Sequence, residues 1–200
     1  ALNVLSQDAD GFAVMIEGGA VDWEGHGNDL SAQMVEQIDF NNSVQAVVDW
    51  VEANSNWNET LLIVTADHET GGLFGANGNA GFFDVNGNGV FDAGIDYAHV
   101  GDNGEGVVPE HAWASGSHTN QLVPLYAMGE GSELFLDKVI GTDANLAGYY
   151  GLDNQEWDGK YIDNTSVFEV MNEAAPVPVP GAGLLLSVGL LGLAGLRRRS

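Results

Sequence analysis

The 200-residue chain contains no cysteine. That absence excludes a disulfide-stapled miniprotein, a thiolate zinc finger, a thioredoxin-like redox pair and a cysteine nucleophile, and it leaves any metal to be held by His, Asp and Glu. Basic residues are nearly as scarce: five Lys and Arg stand against 29 Asp and Glu, a formal net charge of −24. Three of the five are Arg197, Arg198 and Arg199, so the rest of the chain has only Lys138 and Lys160 to set against all of its acids. Such a body repels nucleic acid and anionic lipid. A hydrophobic content of 44% argues against disorder, so the acid excess reads as a solvated surface plus a few cation sites. The sequence carries no internal repeat. It opens at Ala1 with neither an initiator methionine nor a signal peptide, which reads as a fragment.

What is present reads as an α/β pattern. Gly11 to Glu17 is a short apolar run that ends in an acid and two glycines, the signature of a buried strand feeding a loop. From about Asp29 to Asn54, Val44, Val47, Val48 and Val51 fall at i, i+3, i+4 and i+7, predicting a helix that Asp29 or Ser31 would cap. Thr60 to Ala66 is a β-branched and leucine run suited to a central strand covered on both faces. Strand, helix, strand in this order predicts a right-handed crossover and a mainly parallel sheet, with function gathered at the strands' carboxyl ends. Between Gly71 and Gly106 lie eleven of the 28 glycines, together with many Asn and Asp, so about 73–107 reads as a loop-rich insertion. Leu122 to Met128 is a further strand candidate, and Ser166 to Met171 a last apolar patch.

Residues 176–200 read as a separate segment. Pro176, Pro178 and Pro180 make a stiff spacer, Gly181 to Leu196 is uncharged and apolar, and the three arginines follow. As a helix those sixteen residues would span about 24 Å, slightly short of a roughly 30 Å bilayer core.

The chemistry concentrates in three places: Glu17, Asp22 and His26 at and after the first strand, Asp67 and His68 directly after the next, and His118 farther on. Carboxylate oxygens suit hard divalent cations, and zinc accepts both imidazole nitrogen and carboxylate. Ligands far apart in sequence converge when each sits at the end of a neighbouring strand. Asp84, Asn86, Asn88 and Asp92 add a second pattern, D-x-N-x-N-G-x-x-D, with oxygen ligands at calcium-loop positions 1, 3, 5 and 9. Position 12 is Ile95, with Asp96 one place late, and the same residues also fit an Asn-Gly hairpin turn.

The segments EGGAVDWEGH (Glu17 to His26), TADHETGG (Thr65 to Gly72) and WASGSHT (Trp113 to Thr119) resemble, in order and spacing, the C-terminal half of alkaline phosphatases. The resemblance covers about residues 1–175. It implies the C-terminal part of a three-layer α/β sandwich with a mainly parallel central sheet. It also implies two zinc ions and one magnesium ion, with Glu17 as a magnesium ligand, Asp22, His26 and His118 at the first zinc, and Asp67 and His68 at the second. The activity implied is hydrolysis of phosphate monoesters through a phosphoserine intermediate. The family's serine nucleophile and phosphate-clamping arginine lie upstream of the matching segments; here no Asp-Ser-Ala triplet exists and every arginine is in the tail. The fragment alone is therefore expected to be inactive. Trp23 follows Asp22 where some relatives carry a basic residue. Glu69, beside the Asp67–His68 pair, reads as either a solvated acid or a support for that pair, and His99 and His111 read as ordinary surface residues.

The tail, with Val177-Pro178-Val179-Pro180 before the apolar stretch and arginines, resembles the PEP-CTERM sorting signal of exported Gram-negative proteins. This implies export to the periplasm, cell surface or extracellular matrix, transient anchoring in the inner membrane and cleavage by an exosortase-like enzyme. A small phosphate ester is the expected substrate, nucleic acid is not an expected partner, and a homodimer is left open. Two other readings stand beside this one. The first is a phosphodiesterase or other hydrolase of the same superfamily, and the second is a non-catalytic, acidic, cation-binding matrix protein.

Overall fold

The protein is described by a computed structural model that covers residues 1–143 and 159–174. A single-turn helix α1 (Leu2–Leu5) is followed by an irregular segment, then α2 (Ala20–His26) and α3 (Leu30–Asn54). Asp29 caps α3, its carboxylate accepting the Ala32 N–H at 3.0 Å, which satisfies one of the donors left open at a helix start. Leu30 and Val51 are buried and Val44, Val47 and Val48 half-buried, so the predicted valine stripe is the inner face of α3.

The run from Gly11 to Glu17 departs from expectation. It belongs to no strand or helix and has no ladder partner among the described residues, and Phe12, Val14, Met15 and Ile16 are 40%, 44%, 85% and 48% exposed. A segment becomes a sheet strand only when another strand satisfies its backbone groups, and no other described strand does so here.

The predicted strand at 60–66 is present as β1 (Leu61–Thr65), but its pairing differs from the parallel sheet expected. β1 runs antiparallel to Leu125–Gly129. Next along the chain, β2 (Glu69–Thr70) pairs antiparallel with His118–Thr119, and β3 (Leu73–Gly75) with His111–Trp113. Residues 61–75 and 111–129 are thus the two arms of one long, twice-interrupted hairpin. Its partners run from Leu61↔Gly129 to Gly75↔His111, and the return arm takes two extra residues at each interruption. A chain that folds back on itself gives antiparallel ladders, whereas a parallel pair needs a crossover connection. Among the described residues every pairing between strands is antiparallel.

The insertion closes the far end of this hairpin. It is less loop-like than its composition suggests, because β4 (Phe82–Phe83) and β5 (Tyr97–Ala98) join β3 and β6 (His111–Trp113) in a sheet of order β4-β5-β3-β6. The return arm continues as β7 (His118–Thr119) and β8 (Leu125–Gly129). Beyond it, a 3-10 turn at Ser132–Lys138 packs on α4 (Thr165–Ala174), with β9 (Val139–Thr142) and β10 (Lys160–Ile162) paired antiparallel between them. Phe135 and Val170 are buried in that packing, which puts the last apolar patch of the sequence on α4. Lys138 is tied to the same helix, its ammonium 2.9 Å from Glu173 and 3.1 Å from Glu169. Both carboxylates hold the lysine pKa above its ordinary value, Glu173 most strongly.

The apolar tail of 181–196 lies outside the described residues. Among the described residues no helix is long and apolar enough to cross a membrane.

Candidate metal centre

Two glycines let the centre assemble. Gly25, on α2, lies so near β2 that a side chain there would press on Thr70 and Gln33. Gly71 has φ +96° and lies under the Trp113 ring, where a Cβ would collide, so the turn after β2 requires the left-handed freedom of glycine. The Gly71 N–H donates to the Ser117 carbonyl, and the Gly71 carbonyl accepts from Ala114 and Ser115. Helix α2, the Asp67–Gly72 segment and the 114–119 segment are thereby drawn to one place.

At that place Asp22 sits between two histidines. Its Oδ2 is 3.5 Å from His26 Nε2 and its Oδ1 3.5 Å from His118 Nε2, while the two imidazole nitrogens are 3.1 Å apart. A tetrahedral ion about 2.1 Å from each ligand atom would separate those atoms by roughly 3.4 Å. The donor types, one carboxylate and two imidazoles, and the spacing both fit zinc. His68 joins the group from the other side. Its ring stacks on His118 with centroids 3.5 Å apart, and donor atoms of Asp22, His68 and His118 lie within 4.8 Å of one another.

The hydrogen bonds around these side chains fix which nitrogens are free. The Gly116 carbonyl is only an acceptor, so at 2.8 Å it takes the proton of His26 Nδ1 and leaves Nε2 turned to the cluster. The buried Thr70 hydroxyl donates to Asp22 Oδ1 at 2.5 Å, which leaves its lone pairs for His68 Nδ1 at 3.3 Å. His68 Nε2 then faces outward, 3.4 Å from Asp67 Oδ2. The Thr70 hydrogen bond is the main cause that holds the Asp22 carboxyl below the ordinary aspartate range; partial burial opposes it, and His26, His118 and His68 reinforce it.

Asp67 is 91% exposed and touches the group only through His68. Glu17 is exposed and lies outside the cluster, at the end of the unpaired segment before α2. His99 and His111 are half-buried rather than surface residues. His111 Nδ1 bonds the Pro109 carbonyl at 2.9 Å, and burial lowers the His99 pKa. Trp23 is 70% exposed. Thr70 was not singled out by sequence reasoning; its place two residues after His68 was the available signal.

In the insertion, the side-chain amides of Asn86 and Asn88 both donate to Asp92 Oδ2, at 2.8 and 2.6 Å. Asp84 accepts the backbone N–H groups of Gly87, Asn88 and Gly89. Asp96, one place late for a calcium ligand, is buried and accepts the Val85 and Asp92 N–H groups. It ties the loop shut from behind.

The chain is similar to several known alkaline phosphatases. Alkaline phosphatase 3 of Bacillus subtilis is 27% identical over 189 residues, covering 72% of this chain and 40% of the relative. Alkaline phosphatase 4 of the same organism is 29% identical, covering 73% of this chain and 41% of the relative. The repressible alkaline phosphatase of Saccharomyces cerevisiae is 45% identical over 67 residues. Among solved structures, the cold-active alkaline phosphatase of a Shewanella species matches with a TM-score of 0.49 at 27% identity, over 67% of this chain and 44% of that one. The chain therefore spans well under half the length of these relatives. The sequence profile described as alkaline phosphatase matches residues 1–176, and the chain belongs to that family.

Proposed function

We propose that the complete protein hydrolyses phosphate monoesters, and that this chain supplies most of its metal ligands. The observation that carries the reading is the carboxylate of Asp22 held between His26 and His118, each at 3.5 Å. Asp22, His26 and His118 would hold one zinc, Asp67 and His68 a second, and Glu17 a magnesium ion. When bound, such ions stabilise the charge that develops on the attacking and leaving oxygens of an in-line phosphoryl transfer.

The chain's own residues orient the site. Thr70 keeps Asp22 ionised and aimed, and Gly116 keeps the proton of His26 on Nδ1. Trp23, exposed beside Asp22, offers an apolar wall in place of a basic phosphate contact. With no Asp-Ser-Ala triplet and no arginine before 197, the nucleophile of the phosphoserine intermediate and the phosphate clamp are proposed to come from residues beyond these 200. The 200-residue chain alone should then turn over no aryl phosphate.

In the complete protein, His118→Ala and Asp67→Ala should each lose bound zinc and at least a hundredfold in kcat/KM, read by metal analysis and aryl-phosphate turnover. Wild-type zinc content and turnover in both variants would refute the assignment.

Two subsidiary proposals accompany this one. The loop at Asp84, Asn86, Asn88 and Asp92 binds calcium, supported by the D-x-N-x-N-G-x-x-D spacing of its oxygen-bearing side chains. The tail is a sorting signal, supported by its sequence pattern, and directs export and processing by an exosortase-like enzyme.

A further inference from the structure

The ladder that brings His118 beside His68 is very short, since β2 and β7 share only the pairs Glu69↔Thr119 and Thr70↔His118. Two pairs of residues do not hold a ribbon in register unaided. The register also slips on both sides of this stretch, so neither flanking ladder can impose it.

Glu69 spans the gap. Its carboxylate accepts the hydroxyl of Thr119 on the opposite strand, and both of its oxygens accept the Gly72 N–H, at 2.8 and 3.0 Å. Thr119 in turn accepts the Gln121 N–H at 3.3 Å. One half-buried acid therefore joins the turn after β2 to the strand opposite. A solvated acid would make none of these bonds. The two residues it joins across the ladder are the immediate neighbours of ligands: His68 precedes Glu69, and His118 precedes Thr119. The stacking of the two imidazoles at 3.5 Å is set by the same spacing.

We propose that Glu69 is a positioning residue that clamps the strands carrying His68 and His118 at the separation their two neighbouring metal sites require. This rests on the reading of Asp22, His68 and His118 as ligands. An ionised carboxylate suits the task because it only accepts, and charge-assisted bonds to N–H and O–H donors are stronger than neutral ones. It touches neither substrate nor metal.

The test is zinc competition against a chromophoric chelator, with backbone amide exchange measured on the zinc-free protein, both on the complete chain. Glu69→Ala should weaken zinc binding about 10–100-fold, the usual effect of losing an outer support of a metal ligand. Thr119→Val should weaken it too, and the double variant should be little worse than Glu69→Ala, because the two residues act through one bond. Glu69→Gln, which keeps one acceptor oxygen, should restore part of the affinity. The Gly72 amide should lose exchange protection in Glu69→Ala. Unchanged zinc affinity in Glu69→Ala, or additive losses in the double variant, would overturn the clamp even if stability falls. Equal Gly72 protection in wild type and Glu69→Ala would overturn it independently of any metal. A wild-type protein that takes up no zinc would instead overturn the reading of the centre on which the clamp rests.

Discussion

The hydroxyl of Thr70 lies 2.5 Å from Asp22 Oδ1 and 3.3 Å from His68 Nδ1, so a single buried side chain joins a ligand carried by α2 to one carried by the hairpin. Removing it leaves the Asp22 carboxylate without its strongest anchor and the His68 ring without the acceptor that fixes its tautomer. Thr70→Val, which preserves shape, should weaken zinc binding about 10–100-fold. Thr70→Ser should recover most of the loss. Zinc competition titrations on the two variants, run beside the wild type, decide the point; equal affinity in all three would show that the hydroxyl has no such role.

Lys138 offers a prediction with a definite pH window. Its folded-state pKa is raised by Glu173 and Glu169, so its contribution to stability is fully present below the ordinary lysine pKa of about 10.4 and fades as pH rises through the higher folded value. Lys138→Met should therefore lower the thermal midpoint at neutral pH and low salt. The gap between variant and wild type should narrow above about pH 11 and in high salt. Thermal scans across that range would show it. A gap that stays constant to high pH would mean that the lysine acts through packing of its stem.

Calcium provides a third test. Added to metal-depleted protein, it should raise the thermal midpoint by binding the native state alone, and Asp84→Asn should abolish the rise. An equal shift in both proteins would reduce the Asp84 to Asp92 segment to a turn held by its own hydrogen bonds.

The tail makes a fourth. If 176–200 is a sorting signal, mass spectrometry of the native product should find its C-terminus near Pro178 to Pro180 on protein recovered from outside the inner membrane. Protein kept in the membrane fraction and ending at Ser200 would point to a permanent anchor.

The candidate site was more legible in the sequence than the fold. Asp22, His26, His68 and His118, which the structure brings together, are among the few residue types that ligate metals, whereas Glu17, expected with them, lies outside the cluster. Helix α3 was equally plain, since its valines repeat at the helical period and Asp29 stands where a cap is needed. Sheet pairing was not legible. The run LLIVT at Leu61–Thr65 declares a strand but carries nothing about its partner, and the antiparallel return of β8 brings in residues sixty or more positions away along the chain. The same long range left Glu69 open between a solvated acid and a support for its neighbours. Its partner in the hydrogen bond across the ladder is Thr119, and no local pattern distinguishes an acid that reaches across a ribbon from one that faces water.

The commitment of Lys138 to Glu169 and Glu173 has an effect on kinetics. With that ammonium neutralised locally and the chain at −24, an anion approaching this part of the protein meets long-range repulsion. Salt shortens the reach of repulsion to a Debye length of about 10 Å at 0.1 M. The approach of an anion to this surface is thus eased by ionic strength, the reverse of a surface that draws anions in by steering.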